Sequence, residues 1–100
     1  MDVIKRSGKK ESFDGEKIKK AILKAYVDAG EYIGDNAQEI DKMAMQVSEW
    51  ARKRGEGVRT GDIKEKILEI LDDDEYNVSD AWRNFDRKYK SAGNQIELIT

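Results

Sequence analysis

Val3-Ile4-Lys5-Arg6-Ser7-Gly8-Lys9-Lys10-Glu11-Ser12-Phe13-Asp14-Gly15-Glu16-Lys17-Ile18 decides how this chain is read. Asp2 to Arg6 and Lys10 to Phe13 read as two short strands of a hairpin. Ser7-Gly8-Lys9 is the tight turn between them, because Gly8 takes a positive φ without steric cost. Val3 and Phe13 are the candidates to face inward. Strands this short need packing against another element. The stretch also gathers Lys5, Arg6, Lys9, Lys10 and Lys17, with Lys19 and Lys20 just behind, in a chain of formal net charge −2. Such a concentration is either a solvated surface or a site for phosphate.

Helical patterning begins directly after the hairpin. Asp14 is placed to cap a first helix, on which Ile18, Ala21, Ile22, Ala25, Tyr26 and Ala29 share one face and which Gly30 stops. A second helix is capped by Asp35 or Asn36 and carries Ile40, Met43, Ala44, Val47, Trp50 and Ala51. Lys53 and Arg54 suit its C-terminal dipole, and Gly55 ends it. Thr60-Gly61-Asp62 starts a third helix with Thr60 as N-cap, which puts Ile63 at N3 and leaves no full capping box. Ile63, Ile67, Ile70 and Leu71 form its face, and Asp72-Asp73-Asp74-Glu75 closes the segment. A fourth helix runs from about Ser79 to Gly93, with Val78, Ala81, Trp82, Phe85 and Tyr89 stacked together. Gln95-Ile96-Glu97-Leu98-Ile99 alternates imperfectly and reads as a third strand. Each helix has one apolar stripe, so the expected fold is α+β, a four-helix bundle covered by a small sheet.

With 100 residues, 40% of them charged and 38% hydrophobic, the chain supports one small domain and one core. Residues 1–92 are expected to form it, with 93–100 a C-terminal strand or a linker toward a partner domain. There is no cysteine, which excludes disulfides, thiolate metal sites and cysteine nucleophiles. There is no histidine, the commonest general base and metal ligand. The balance of 19 Lys+Arg against 21 Asp+Glu argues against a general nucleic-acid binder while leaving room for a local basic pocket. Neither a signal-peptide core nor a membrane-length apolar run is visible, so a cytoplasmic protein is expected.

Few motifs carry chemistry. Asp72 to Glu75 lacks the glycine and distal glutamate of a calcium loop and reads as a solvated acidic turn. Asn77-Val78-Ser79 fits a glycosylation sequon by chance, and the G-x-x-x-x-G-K-[ST] phosphate loop is absent. Trp50, Trp82, Phe85 and Tyr89 sit at helical spacing, which favours core packing over a platform for stacking bases. What remains is a phosphate pocket or a plain charged surface. Lysines on flexible stems, an arginine fork, and Thr60 at a helix N-terminus would serve the former, with Arg87, Lys88 and Lys90 converging from the last helix.

Val3 to Asp14, followed by Lys17-Ile18 and Ala21-Ile22, closely resembles the start of the ATP-cone domain, whose pattern runs V-x-K-R-[DN]-G-x-x-[EV]-x-F-[DN] and then K-I. Val58-Arg59-Thr60-Gly61-Asp62-Ile63 resembles the threonine-containing start of that family's third helix, and Ala81 to Lys90 its aromatic and basic last helix. The likeness spans about residues 2–92 and departs at Ser7, a turn position where the family usually has an acidic or amide residue and where little effect on binding is expected.

This resemblance implies an allosteric, non-catalytic module that binds ATP and dATP with Mg²⁺, as found in ribonucleotide reductases and in the repressor of their genes. It implies partnership with a reductase catalytic or radical subunit and a nucleotide-dependent homo-oligomer. The four-cysteine zinc ribbon of the repressor is absent here. Carried over by position, Val3, Phe13, Ile18 and Ile63 surround the adenine, and Lys5 and Arg6 lie near base and phosphates. Glu11 and Lys17 meet the base or sugar, while Thr60 and Lys64 sit on the phosphate side. Arg87 and Lys88 are the best candidates for a phosphate ligand in the last helix. The alternatives are a helical module that binds nucleic acid through the basic hairpin, or a nucleotide-insensitive protein adaptor.

Overall fold

The computed structural model describes residues 1–89. Its elements are β1 (Asp2–Ile4), β2 (Lys10–Ser12), α1 (Gly15–Asp28), α2 (Ile33–Arg54), α3 (Thr60–Asp74) and α4 (Tyr76–Tyr89). β1 and β2 pair antiparallel with Val3 opposite Glu11. The strands are shorter than the sequence suggests because the turn starts early: the Lys5 N–H already donates across it to the Lys9 carbonyl at 2.8 Å. Gly8 takes φ 89° there, in the region glycine favours. The partner that this hairpin needs is the segment entering α3. The Ile4 N–H donates to the Val58 carbonyl at 2.9 Å, and Ile4 forms a parallel bridge with Arg59. The strand expected at 95–99 lies outside the described residues.

The helices form on the expected faces but three of their starts differ. Asp14 caps α1 as anticipated, its carboxylate accepting the Glu16 N–H at 3.0 Å. The start of α2 is Ile33, with Tyr32 at the N-cap, rather than the Asp35 or Asn36 cap that propensity favours. Asp35 instead supplies negative charge to the first turn, and the Asn36 side-chain amide donates to the Tyr32 carbonyl at 2.8 Å. Gly34 sits in that first turn because the Tyr32 ring lies against it; a Cβ would come within 2.9 Å of the ring.

Arg59, not Thr60, is the N-cap of α3, since pairing with Ile4 holds residue 59 extended (φ −97°, ψ 150°). Asp62 thereby becomes N3 and accepts the Arg59 N–H at 3.2 Å. The acidic run Asp72-Asp73-Asp74 belongs to α3 itself, Glu75 alone breaks the chain, and α4 starts at Tyr76 rather than near Ser79. Arg83 of α4 reaches back to grip Asp72 with two bonds of 2.7 and 2.8 Å, which holds that sharp reversal.

α1 packs on α2 and α4, and α3 packs on the same two, closing a ring of four helices. Ile18, Ile22 and Tyr26 of α1, Ile40 and Val47 of α2, Ile63 and Leu71 of α3, and Trp82 of α4 are fully buried inside it. Each contributes roughly 1.5–3 kcal/mol by leaving water. Val3 adds a fully buried side chain from the hairpin. The architecture is therefore α+β, with a two-stranded sheet across one end of the bundle. Trp50 stays at the rim, half-buried, with the cations of Arg54 and Lys66 over its ring.

Candidate functional site

Cross-strand partners share one face of a sheet, so Val3 and Glu11 point together toward α1. Val3 reaches the core, whereas Glu11 stops half-buried and pairs with the Lys17 ammonium, Nζ to Oε1 2.5 Å. The second carboxylate oxygen, Oε2, is enclosed and has no hydrogen-bond partner among the described residues. Ile18, the next residue of α1, forms the apolar floor beside them and is fully buried. Lys5, half-buried, follows the end of β1 where the turn begins.

The Ile4 to Val58 and Arg59 pairing brings the end of β1 beside the start of α3. Thr60 is half-buried as the first helical residue, Ile63 is fully buried, and Lys64 is half-buried one turn along. A helix start leaves its first N–H groups without intrahelical acceptors and carries partial positive charge. Three elements thus converge: a hairpin with cations and one lone acceptor, an apolar floor from α1 and α3, and a helix N-terminus suited to an anion.

The remaining sequence candidates lie around this centre. Arg6 is exposed in the hairpin turn. Phe13 is half-buried on the α2 side, with the Arg52 guanidinium 5.2 Å above its ring. Lys19 leaves the basic cluster altogether: Asp41 of α2 accepts its ammonium at 2.8 Å and holds its pKa above the ordinary lysine value. α4 runs antiparallel to α1, since Asn77 and Asp80 share a groove with Asp28 and Ala29 while Phe85 lies under Lys24 at 4.7 Å. Its later residues therefore head toward the hairpin end. Arg87 is exposed and donates to Asn84 on its own helix, and the side chain of Lys88 lies outside the described residues, as does Lys90.

Two features escaped sequence reasoning. Arg59 is a strand partner as well as a cap, and Asp62 is the acid that closes the α3 start. The acid three positions after Arg59 was the available signal, hidden by the better capping propensity of Thr60.

Among the described residues no group of three or more acidic side chains is arranged to hold a metal ion, and no helix is long and apolar enough to cross a membrane. A family model, the ATP cone domain, matches residues 1–90. The chain belongs to the ATP-cone family. Neither a search of curated proteins nor a search of solved structures gave a match. An ATP cone is a nucleotide-binding, allosteric regulatory module and not a catalytic one. In this cone the two motifs of the sequence, far apart in the chain, meet through the Ile4 and Arg59 backbones.

Proposed function

We propose that this cone binds ATP and dATP between the hairpin, α1 and the start of α3, and thereby sets the activity and oligomeric state of a ribonucleotide reductase. The observation that supports the reading is the pairing of Ile4 with Val58 and Arg59, which brings the hairpin, whose turn carries Lys5 and Arg6, beside a helix N-terminus. Lys5, Arg6, Thr60 and Lys64 take the phosphates, with Arg87 and Lys88 adding charge from α4. Mg²⁺ arrives with the triphosphate and is held mainly by it. Val3, Phe13, Ile18 and Ile63 enclose the adenine, and Lys17 and Glu11 meet base or sugar. The lone Glu11 Oε2 supports that assignment, because an enclosed acceptor fits a ligand N–H such as the exocyclic amine of adenine. Guanine presents a carbonyl at that place and would be repelled.

The cone occupies residues 1–92, and its partner is a catalytic or radical subunit of the reductase in the cytoplasm. ATP and dATP differ by one hydroxyl, so their opposite effects require different affinities for two states of the assembly.

The test is isothermal titration with ATP, dATP and GTP in the presence of Mg²⁺. Binding of both adenine nucleotides in the micromolar range with GTP much weaker supports the proposal. Absence of heat with all three removes it.

A further inference from the structure

Tyr32 and Tyr76 are 71% and 64% exposed, and both stand at the end of the bundle away from the hairpin. Tyr32 precedes α2 and Tyr76 opens α4. The Tyr32 ring does not swing freely, since it lies against Gly34. Glu31, Glu39, Asp74 and Glu75 lie at the same end of the bundle. They lie close enough that burial, and then the charges of Glu39 and Glu31, push the Glu75 carboxyl above its ordinary value. Asp73 and Asp74 form no ion pair among the described residues. Among the described residues Lys42 is the one cation lining the groove that Glu39, Asp73 and Asp74 share, so this end combines two amphipathic aromatic faces with a net excess of carboxylates, a surface chemistry that receives arginine and lysine side chains.

The other end of the same molecule offers them. Arg6 and Lys9 in the hairpin turn and Lys10 at the start of β2 are exposed and form no ion pair among the described residues. The 22 residues of α2 separate the two ends by roughly 33 Å. That is several times the ~8 Å screening length at physiological ionic strength. The two ends therefore do not neutralise each other within one molecule.

We infer that the Tyr32 and Tyr76 face docks the hairpin turn of a second copy, head to tail. Such a contact joins unlike surfaces and does not close on itself, so it propagates. Exposed ion pairs are individually weak, so the association is concentration-dependent and collapses with salt. It does not rest on nucleotide binding.

Sedimentation velocity of the full chain tests it, at ionic strength of ~0.01 M, where charges reach ~30 Å, and of ~1 M, where they reach ~3 Å. The expected result is association at low salt that grows with concentration and disappears at high salt. Two paired variants settle the geometry, Asp73→Lys with Asp74→Lys at one end and Lys9→Glu with Lys10→Glu at the other. All four positions are exposed, and circular dichroism verifies the fold of each variant. Each variant alone stays monomeric, because its two ends then carry charge of the same sign, and an equimolar mixture associates again through the unaltered ends of the two chains. A wild-type chain that remains monomeric at low salt up to millimolar concentration overturns the inference. So does association that either variant leaves intact, or a mixture that does not pair.

Discussion

Replacing Glu11 by leucine separates function from stability with opposite signs. Glu11 spends one carboxylate oxygen on Lys17 and leaves the other enclosed without a partner. The ion pair is partly exposed, at 27% for the glutamate and 31% for the lysine side chain, so it is worth only ~0.2–1 kcal/mol. An enclosed unsatisfied oxygen costs ~1–3 kcal/mol. Leucine keeps the volume, suits a strand and removes that cost, while Lys17 remains able to reach water. The net expectation is a gain of about 1 kcal/mol, or ~4–8 °C in Tm for a domain of this size. ATP binding should move the other way. Loss of one charge-assisted hydrogen bond, ~1.5–3 kcal/mol, weakens affinity roughly 10- to 150-fold. Thermal melts without nucleotide and calorimetry with ATP read the two effects separately. A Glu11→Leu chain that melts several degrees lower would make Glu11 a structural residue. Unchanged ATP affinity would remove it from the site.

Three further outcomes are expected. Lys5→Ala combined with Arg6→Ala should abolish ATP binding in calorimetry and leave the circular dichroism unchanged, since Arg6 is exposed and Lys5 only half-buried. Glu75 has a folded pKa raised above 4.5, chiefly by burial and then by Glu39 and Glu31, so its protonated form is favoured in the fold. Its contribution is greatest below the unfolded value and is lost as pH rises, so Glu75→Gln should raise Tm at pH ~7 and give no gain near pH ~4. An equal shift at both pH values would contradict the assigned crowding. Burial, then the field of Glu75 and Glu39, pushes the Tyr26 hydroxyl from 10.0 up to about 12. Stability should therefore fall between those pH values as the unfolded chain ionises, and Tyr26→Phe should flatten that decline in alkaline denaturation. At neutral pH this substitution costs little, because the hydroxyl makes only a weak 3.9 Å contact to Met43 Sδ.

The apolar stripes of α1 to α4 were legible because burial at i, i+3 and i+4 is written directly in residue type; Ile18, Ile22 and Tyr26 lie where spacing puts them. Helix starts were less legible, because tertiary contacts set them. Ile4 holds Arg59 extended and Arg83 fastens Asp72, and neither pair is local in the sequence. The same limit applies to the candidate site. Lys5, Glu11, Lys17 and Thr60 were nominated from residue type and resemblance, but the approach of the hairpin to the start of α3 rests on one parallel bridge that no periodicity encodes. Lys19 shows the converse, a member of the basic run that Asp41 draws onto α2.

The central claim is that a nucleotide sits against the hairpin and the first turn of α3. Amide chemical-shift mapping of the full chain during titration with ATP and Mg²⁺ tests it most directly. The account predicts that the largest changes fall on the amides of Lys5, Glu11, Thr60, Gly61 and Ile63, with Tyr32 and Tyr76 at the far end unmoved. Changes centred on the far end, or none at saturating ATP, would contradict it.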